Sequence, residues 1–374
     1  MGRQMRGGGN RIPSLDGLRA VSILMVLFSH LSGTAGFVAW KQVGMLAGFG
    51  VRVFFVISGF LITTLLLNEE EKTGTVSLRH FYLRRTLRIF PPFYVYVGAI
   101  ALASALGWIA LQRWDLLSAL TYTTNYHHHR AWYLGHAWSL SVEEQFYLLW
   151  PFIMKALGPR RAANVALGAI VLAPLLRFGL LVGAPWLRPG IGESFPTVAD
   201  AIATGCWLAC NRARVDASER LQAFLRSGWF WLVPALALAA ASAPSAKLDC
   251  LLGVTITNLG VGLLIERAVR YPDFASGRFL NARPVVFIGT LSYSLYLWQQ
   301  PFLNRKSSLW ISHFPQSLAL AFAAALLSYY LVERPSLRLR ALIERRLWRP
   351  DRAATRTPAA APPPSGPAAA SPGL

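Results

Sequence analysis

The sequence RIPSLDGLRAVSILMVLFSHL, residues 11–31, decides the fold class, because it is an apolar segment long enough to cross a bilayer as a helix. It carries two ionisable residues, Arg19 and His30. Their helical separation exceeds three turns by only about 20°, so both side chains project from one stripe, roughly 16 Å apart along the axis. Ionisable groups inside a membrane span are costly and by default indicate function. The pair predicts a path for an anionic substrate from a surface cation to a deeper base.

The composition extends this interpretation to the whole chain. Of the 374 residues, 54% are hydrophobic and 14% charged, whereas a soluble protein carries about 25% charged residues. We predict an all-α polytopic membrane protein with about ten transmembrane helices. The predicted spans lie near residues 16–36, 46–67, 90–111, 137–157, 162–183, 195–211, 227–243, 248–265, 285–303 and 314–333.

The basic residues predict the orientation of these spans. With a cytoplasmic N-terminus, most of the 37 Lys and Arg residues fall in segments on the cytoplasmic side. The positive-inside rule therefore predicts an even number of spans with both termini in the cytoplasm. The net charge of +20 is dispersed over short loops, so it does not indicate nucleic-acid binding. Since further spans follow the first one, we expect it to be retained rather than cleaved as a signal peptide.

The chain divides into three predicted regions. Residues 1–15 form a cytoplasmic N-terminal segment, and residues 16–340 form one membrane domain. Residues 341–374 are basic and then rich in Pro and Ala. We expect this last region to be a disordered cytoplasmic tail, because such a composition cannot build a packed core.

A cluster of arginines follows the second predicted span. After NEEEKTG, which predicts a surface turn, comes SLRHFYLRRTLRIFPPFY with Arg84, Arg85 and Arg88, and its prolines predict the start of the third span. Arg85 and Arg88 share a helix face. Two guanidinium groups on one face suit a multiply charged phosphate ligand. The alternative is ordinary anchoring of the span by arginines that reach the membrane surface.

The segment HAWSLSVEEQFYLLWPF, residues 136–152, places Ser139 and Glu143 on one helix face. In the predicted topology Glu143 and His30 reach the same depth of the bilayer. If their helices are neighbours, the two side chains are expected to meet, and the carboxylate would raise the basicity of the imidazole. The alternative is a structural ion pair or a polar cluster.

Taken together, these segments resemble the acyltransferase-3 family of integral membrane acyltransferases. The resemblance covers about residues 11–340, and the motifs follow the order of the family. The shared motifs are LDGLRAVSILMVLFSH, FFVISGFLIT, RRTLRIFP, WSLSVEEQFYLLWP, SYSLYLWQQP and YLVERP.

The resemblance implies transfer of an acyl group, usually acetyl from cytosolic acetyl-CoA, to a hydroxyl of a carbohydrate or glycoconjugate at the bacterial inner membrane. His30 would be the general base or a transient acyl carrier, and Arg19 would line the path to it. We expect no metal cofactor. Some members carry an attached esterase-like domain; none is recognised here, so we expect the chain to act alone or with a separate periplasmic partner.

The remaining implied roles concern the donor and the orientation of the reacting groups. Arg85 and Arg88, together with Arg84, would hold the phosphates of coenzyme A. Glu143, with Ser139, would orient the histidine or the acceptor.

One position departs from the family pattern. Members often have a histidine in the ninth span, in a YLWH-x-P pattern, whereas this chain has Gln299. Glutamine forms hydrogen bonds but cannot act as a base near neutral pH. A neighbouring aromatic residue, Tyr296, is interpreted as packing within the same span.

Other polar residues are given structural roles. The sequence TNYHHHRAWYLGH contains three adjacent histidines, His127–His129, but adjacent histidines in a loop do not preset a metal geometry, and no obvious carboxylate completes a site. We interpret them as a polar rim at the acceptor entrance. Asp200 is expected to pair with Arg177 or Arg52 inside the membrane, which would make these charges structural; the alternative is contact with a sugar.

Two alternatives to acyl transfer stay open. One is a transporter or flippase of glycans or lipid-linked intermediates, for which paired inverted halves would be expected. The other is a non-catalytic subunit of an envelope-polysaccharide assembly, for which Gln299 is the best support.

Overall fold

The computed structural model of the chain describes residues 12–242 and 245–347. Every regular element in these ranges is a helix, and they contain no strand. The prediction of an all-α protein is therefore confirmed. Of the predicted terminal regions, residues 1–11 and 348–374 lie outside the described residues.

The helices follow one another with short connections. In chain order they are α1 (Pro13–Leu31), α2 (Gly44–Thr73), α3 (Leu78–Ala105), α4 (Asp115–Leu120), α5 (Trp132–Gly135), α6 (Ala137–Gly183), α7 (Phe195–Cys210), α8 (Arg212–Ala217), α9 (Glu219–Arg226), α10 (Leu232–Ala240), α11 (Ala246–Leu248), α12 (Val254–Arg270), α13 (Ala275–Leu280), α14 (Arg283–Phe302), α15 (Gln316–Ser328) and α16 (Arg334–Leu347).

Six helical stretches within the described ranges are long and apolar enough to cross a membrane. A seventh is added if the bent pair Glu219–Arg226 and Gly228–Ala240, which meet at 74°, is one span. The protein is thus helical with several membrane spans, but the prediction of ten is not confirmed. The six stretches are Pro13–Leu31, Gly44–Thr73, Leu78–Ala105, Trp132–Gly183, Ala246–Arg270 and Gln316–Arg346.

Helix α6 is too long to be a single straight span. Its 47 residues would extend about 70 Å, more than twice the thickness of the hydrocarbon core. The helix is broken at Gly158, whose φ of 73° lies in the left-handed region, and Pro159 follows directly. The two halves coincide with the spans predicted at 137–157 and 162–183.

The connection between α2 and α3 is more helical than predicted. Helix α2 continues through the NEEEKT residues to Thr73 and ends at Gly74, whose left-handed φ of 75° stops the helix. Helix α3 begins at Leu78, directly after its N-cap Ser77, so Pro91 lies inside α3 rather than at its start. The predicted turn therefore shrinks to residues 74–77, and the arginine cluster stands on a helix.

Helix α1, which carries Arg19 and His30, packs against α2 and α14. Glycines permit this close approach. A Cβ atom at Gly50 of α2 would lie 2.6 Å from the carbonyl oxygen of Ser22, and one at Gly289 of α14 would overlap the carbonyl of Asp16. Because the three backbones come so close, polar side chains from all three helices line common cavities.

A buried ion pair joins α6 to α7. Arg177 Nη2 lies 2.9 Å from Asp200 Oδ2, and the two side chains are 2% and 0% exposed. Arg177 also donates hydrogen bonds to the carbonyl oxygens of Thr197 and Cys250 and to the hydroxyl of Thr255. The predicted pairing of Asp200 with Arg177 is confirmed. With its charge compensated in this way, the pair fits the structural interpretation.

Candidate active site

His30 lies in the last turn of α1 and lines a cavity of about 360 Å³. We call this the histidine cavity. Aromatic and polar side chains dominate its wall, and His30 itself is half-buried. The residues that define the cavity are His30, His128, Arg130, Trp132, His136, Trp138, Tyr296 and Gln300, with Val26, Ala47, Gly48, Val51, Ala131 and Gly135.

The imidazole of His30 is held by neutral partners. Its Nδ1 lies 2.8 Å from Oε1 of Gln299. The ring of Trp132 packs against it edge-on, with 5.3 Å between the ring centroids. Position 299, where the sequence departs from the family pattern, is therefore in direct contact with the predicted catalytic residue.

The histidine-rich loop meets carboxylates that the sequence analysis did not foresee. His127 Nε2 lies 3.0 Å from Oδ1 of Asp115, and His128 Nδ1 lies 3.8 Å from Oε2 of Glu193. Arg130 donates to the other oxygen of Glu193 at 2.7 Å. These partners are distant in sequence, so the spacing of the histidines gave no sign of them. Even so, the described residues contain no group of three or more His, Cys, Asp or Glu side chains arranged to hold a metal.

A second and larger cavity, about 830 Å³ in volume, opens between α1, α2, α3, α6, α14 and α16. We call it the arginine cavity. Its wall carries both cations and carboxylates. The charged residues that line it are Asp16, Arg19, Glu69, Lys72, Arg84, Arg85, Arg88, Glu143, Glu144, Glu333, Arg340 and Glu344.

The three predicted phosphate-binding arginines all lie on this wall but in different surroundings. Arg84 is ion-paired with Glu69 at 2.7 Å. The guanidinium group of Arg85 stacks over the ring of Tyr147, with 4.8 Å to the centroid. Among the described residues, neither Arg85 nor Arg88 has a hydrogen-bonded carboxylate partner. Arg85 and Arg88 therefore keep N–H groups for a ligand, whereas Arg84 shares its charge with Glu69.

Glu143 belongs to the arginine cavity and not to the surroundings of His30. Its Oε1 accepts a hydrogen bond of 2.5 Å from the hydroxyl of Ser58. Three cations interact electrostatically with its carboxylate, namely Arg19, Arg85 and Arg88. The expected contact between Glu143 and His30 is not formed, because α1 packs mainly on α2 and α14 while α6 packs mainly on α7.

Ser139 lies at the boundary between the two cavities. Its Oγ is 2.6 Å from the hydroxyl of Tyr296, and that hydroxyl also donates to the backbone carbonyl of His136 at 3.1 Å. Tyr296 and Val51 line both cavities. The boundary is therefore one side-chain layer thick at this point, and Ser139 fixes the aromatic ring that forms it.

Arg19 and His30 occupy the two ends of this arrangement. Arg19 lines the arginine cavity, with its Nη1 3.7 Å from Oδ1 of Asp16. His30, on the same helix, lines the histidine cavity. The predicted polar stripe of α1 thus reaches from one cavity into the other.

Four residues of the site were missed as such in the sequence. Ser58 and Glu333 lie inside the quoted motifs FFVISGFLIT and YLVERP, but nothing in their spacing indicated that they face the arginine cavity. Tyr296 was interpreted only as packing. Gln300 follows Gln299 directly, and a pair of glutamines in an apolar span was the available signal.

The comparison with known families agrees with this geometry. A family model described as an acyltransferase domain, acyltransferase-3, matches residues 12–333. The chain belongs to this family. This is the family that the sequence motifs resembled.

Characterised relatives are similar at modest identity. The peptidoglycan O-acetyltransferase OatA of Listeria monocytogenes is 26% identical over 372 residues, covering 90% of this chain and 57% of the relative. The O-acetyltransferase OatA of Staphylococcus aureus is 27% identical over 330 residues, covering 80% of this chain and 52% of the relative. The chain thus spans little more than half the length of these relatives. No solved structure matches it.

Proposed function

We propose that this acyltransferase moves an acetyl group from cytosolic acetyl-CoA to a hydroxyl of a carbohydrate or glycoconjugate in a bacterial inner membrane. The observation that carries the proposal is the path along α1. A cavity rich in arginine and a cavity that contains an imidazole share a boundary one side chain thick, at Tyr296 and Val51. This is the arrangement expected when a polyanionic donor and a neutral acceptor approach one reactive group from opposite sides.

The arginine cavity suits the donor. Coenzyme A carries several phosphate charges, and guanidinium groups bind phosphate through paired N–H donors. Arg85 and Arg88 would take these contacts, while Arg84 would add its charge at the rim beside Glu69. Glu143 and Arg19 would keep the guanidinium groups apart and oriented, since the carboxylate interacts with three of the cations.

His30 supplies the chemistry in either of two routes. As a base, it removes the proton of the acceptor hydroxyl while that oxygen bonds to the acetyl carbon; the C–S bond breaks, and the proton passes to the departing thiolate. As a carrier, its nitrogen first bonds to the acetyl carbon as the C–S bond breaks and the thiolate leaves. The oxygen of the acceptor hydroxyl then bonds to the acetyl carbon as the C–N bond breaks, and the hydroxyl proton passes to the freed nitrogen and from there to water. The carrier route fits an acceptor that never meets coenzyme A.

The histidine cavity suits a sugar acceptor. Trp132 and Trp138 supply indole surfaces, and His128, Arg130 and Gln300 supply polar groups around them. Such a wall can pack on the apolar face of a sugar ring and bind its hydroxyls. The names of the relatives point to peptidoglycan, and we propose a glycan of that type as the acceptor. A separate periplasmic partner would be required only if the acceptor does not reach the cavity itself.

This function requires the topology predicted from the charges. With both termini cytoplasmic and ten spans across residues 16–340, the arginine cavity faces acetyl-CoA. Counting the two halves of α6 separately, and adding the bent pair Glu219–Arg226 and Gly228–Ala240 together with α7 and α14, would bring the six stretches to ten spans. Residues 1–15 and 341–374 would be cytoplasmic extensions.

The test uses membranes that contain the wild-type chain, His30→Ala or the control His313→Ala, which removes a half-buried histidine that lines neither cavity. Acetyl-CoA labelled in its acetyl group is supplied with peptidoglycan fragments. We expect label in the glycan for wild type and the control, and none for His30→Ala at equal membrane abundance. Equal transfer by all three would refute the role of His30, whereas glycan movement without use of acetyl-CoA would favour the transporter.

A further inference from the structure

Two adjacent glutamines on α14 form a hydrogen-bonded chain that ends at His30. Gln300 Nε2 donates to the backbone carbonyl of Trp132 at 2.8 Å. Gln299 Nε2 donates to Oε1 of Gln300 at 2.7 Å, and Gln299 Oε1 lies 2.8 Å from Nδ1 of His30. The two glutamine residues are 0% and 3% exposed, so water does not compete for these bonds.

The direction of every bond in this chain follows from its fixed end. A backbone carbonyl only accepts, so the amide nitrogen of Gln300 must face Trp132. The oxygen of Gln300 then needs a donor, and among the described residues the NH₂ group of Gln299 is the one that provides it. This leaves the oxygen of Gln299 facing the histidine, and an amide oxygen requires a proton on Nδ1. A reversed Gln299 would set two oxygens against each other and lose one bond.

The fixed end is itself rigid. The indole N–H of Trp132 donates to the backbone carbonyl of Gln300 at 2.7 Å, while the side chain of Gln300 donates to the carbonyl of Trp132. The two residues are therefore clamped by reciprocal hydrogen bonds. Since the ring of Trp132 also packs edge-on against His30, the same residue limits rotation of the imidazole.

We infer that Gln299 and Gln300 are positioning residues that hold His30 in the tautomer protonated on Nδ1. Resting on the proposed function, this assigns Nε2 as the nitrogen that removes the hydroxyl proton or bonds to the acetyl group. In a neutral imidazole only one nitrogen carries a proton, so Nε2 keeps its lone pair. No described residue forms a hydrogen bond with Nε2, and the ring that carries it lines the histidine cavity.

This role explains how glutamine can replace histidine at position 299, where the family pattern often has histidine. A residue there does not need to act as a base, because an acceptor that fixes the tautomer of the base is sufficient. A carboxylate orients the catalytic histidine of serine hydrolases in the same sense. Here a neutral amide does so, and it places no further charge beside the ring.

The test is a direct spectroscopic measurement of the tautomer. The full chain, labelled with ¹³C and ¹⁵N only in histidine, is placed in lipid bilayers, and carbon–nitrogen correlation spectra assign the proton to Nδ1 or Nε2. His30→Ala identifies the His30 signals among those of the seven histidines. We expect a protonated Nδ1 and an unprotonated Nε2 in the wild type at neutral pH. A proton on Nε2, with or without one on Nδ1, would overturn the proposal.

Variants test whether the glutamines cause this state. Gln300→Leu frees Gln299 to reverse, so the tautomer protonated on Nε2 should become populated, and acetyl transfer should fall about tenfold. Gln112→Leu, at an exposed glutamine, should change nothing. An unchanged His30 spectrum in Gln300→Leu would overturn the proposal.

The wild-type spectrum alone remains decisive if a variant fails to fold. It also separates this inference from the proposed function, because no acetyl-CoA is present. A correct tautomer in a chain that never transfers acetyl would refute the function and leave the positioning role. Active acetyl transfer by a chain with a proton on Nε2 would support the function and refute the positioning role.

Discussion

The arginine cavity and the histidine cavity use opposite physical means along one helix. The arginine cavity is large and carries at least three cations around Glu143. The histidine cavity is less than half as large, and its key side chain is held by a neutral amide and an indole ring. In the proposed function, donor recognition and chemistry would be separated in the same way: charge would select the polyanionic donor, and directed hydrogen bonds would prepare the base.

The largest effect is expected from the histidine. His30→Gln keeps a polar side chain but removes the reactive nitrogen, so kcat should fall by roughly 10²- to 10⁴-fold, while KM for acetyl-CoA stays the same. Steady-state kinetics with labelled acetyl-CoA measure both constants. His313→Ala is the control. A rise in KM with unchanged kcat in His30→Gln would contradict the proposed division of roles between the cavities.

A smaller effect, on KM rather than on kcat, is expected from Arg88, which has no hydrogen-bonded carboxylate partner among the described residues. Arg88→Ala removes charged hydrogen bonds to phosphate, each worth about 1.5–3 kcal/mol, so KM for acetyl-CoA should rise by about ten- to a hundredfold with little change in kcat. Arg84→Ala should raise KM less, because Glu69 already shares that charge. If Arg84→Ala had the larger effect, the ion pair would be the main phosphate contact and the interpretation of Arg88 would be wrong.

Glu143 tests which cavity its carboxylate serves. Glu143→Gln keeps the hydrogen bond from Ser58 but removes the negative charge among the arginines, so KM for acetyl-CoA should change by about tenfold or less while kcat is preserved. Glu219→Gln, at an exposed carboxylate, is the matched control. A loss of kcat as large as that of His30→Gln would instead indicate that Glu143 acts on His30, as the sequence predicted.

The smallest effect is expected at the boundary. Tyr296→Phe keeps the ring that separates the cavities but removes its hydrogen bonds to Ser139 and to the carbonyl of His136. The loss is about 1 kcal/mol, so transfer should fall by about fivefold or less. Tyr126→Phe serves as the control, at an exposed tyrosine. A loss of more than a hundredfold in Tyr296→Phe would mean that the hydroxyl takes part in the chemistry.

The sequence predicted the fold class and some of the residues that line each cavity. Helical spacing placed Arg19 and His30 on one stripe and Arg85 and Arg88 on one face, because i to i+3 and i to i+11 relations are properties of a single helix. The pairing of Arg177 with Asp200 followed from the cost of leaving a charge alone in the membrane.

Relations between helices were not predictable in this way. Depth in the bilayer suggested that Glu143 meets His30, but depth does not state which helices are neighbours, and the packing of α1 on α2 and α14 separates the two. Because the sequence does not state which helices are neighbours, it also did not predict the contact of Gln299 with His30 or the carboxylates beside the histidine loop. The extent of α2 was also misjudged, because its polar last turn is stabilised by the Gly74 cap rather than by apolar periodicity.

The central claim is that binding of the donor and acyl transfer are separable, and one measurement tests it most directly. Binding of coenzyme A is measured at equilibrium for wild type, His30→Gln and Arg88→Ala in lipid nanodiscs, and acetyl transfer is measured on the same samples. We predict that His30→Gln binds coenzyme A like wild type but transfers acetyl at least about a hundredfold more slowly, and that Arg88→Ala binds weakly yet transfers at saturating acetyl-CoA. Loss of binding in His30→Gln, or unchanged binding in Arg88→Ala, would contradict it.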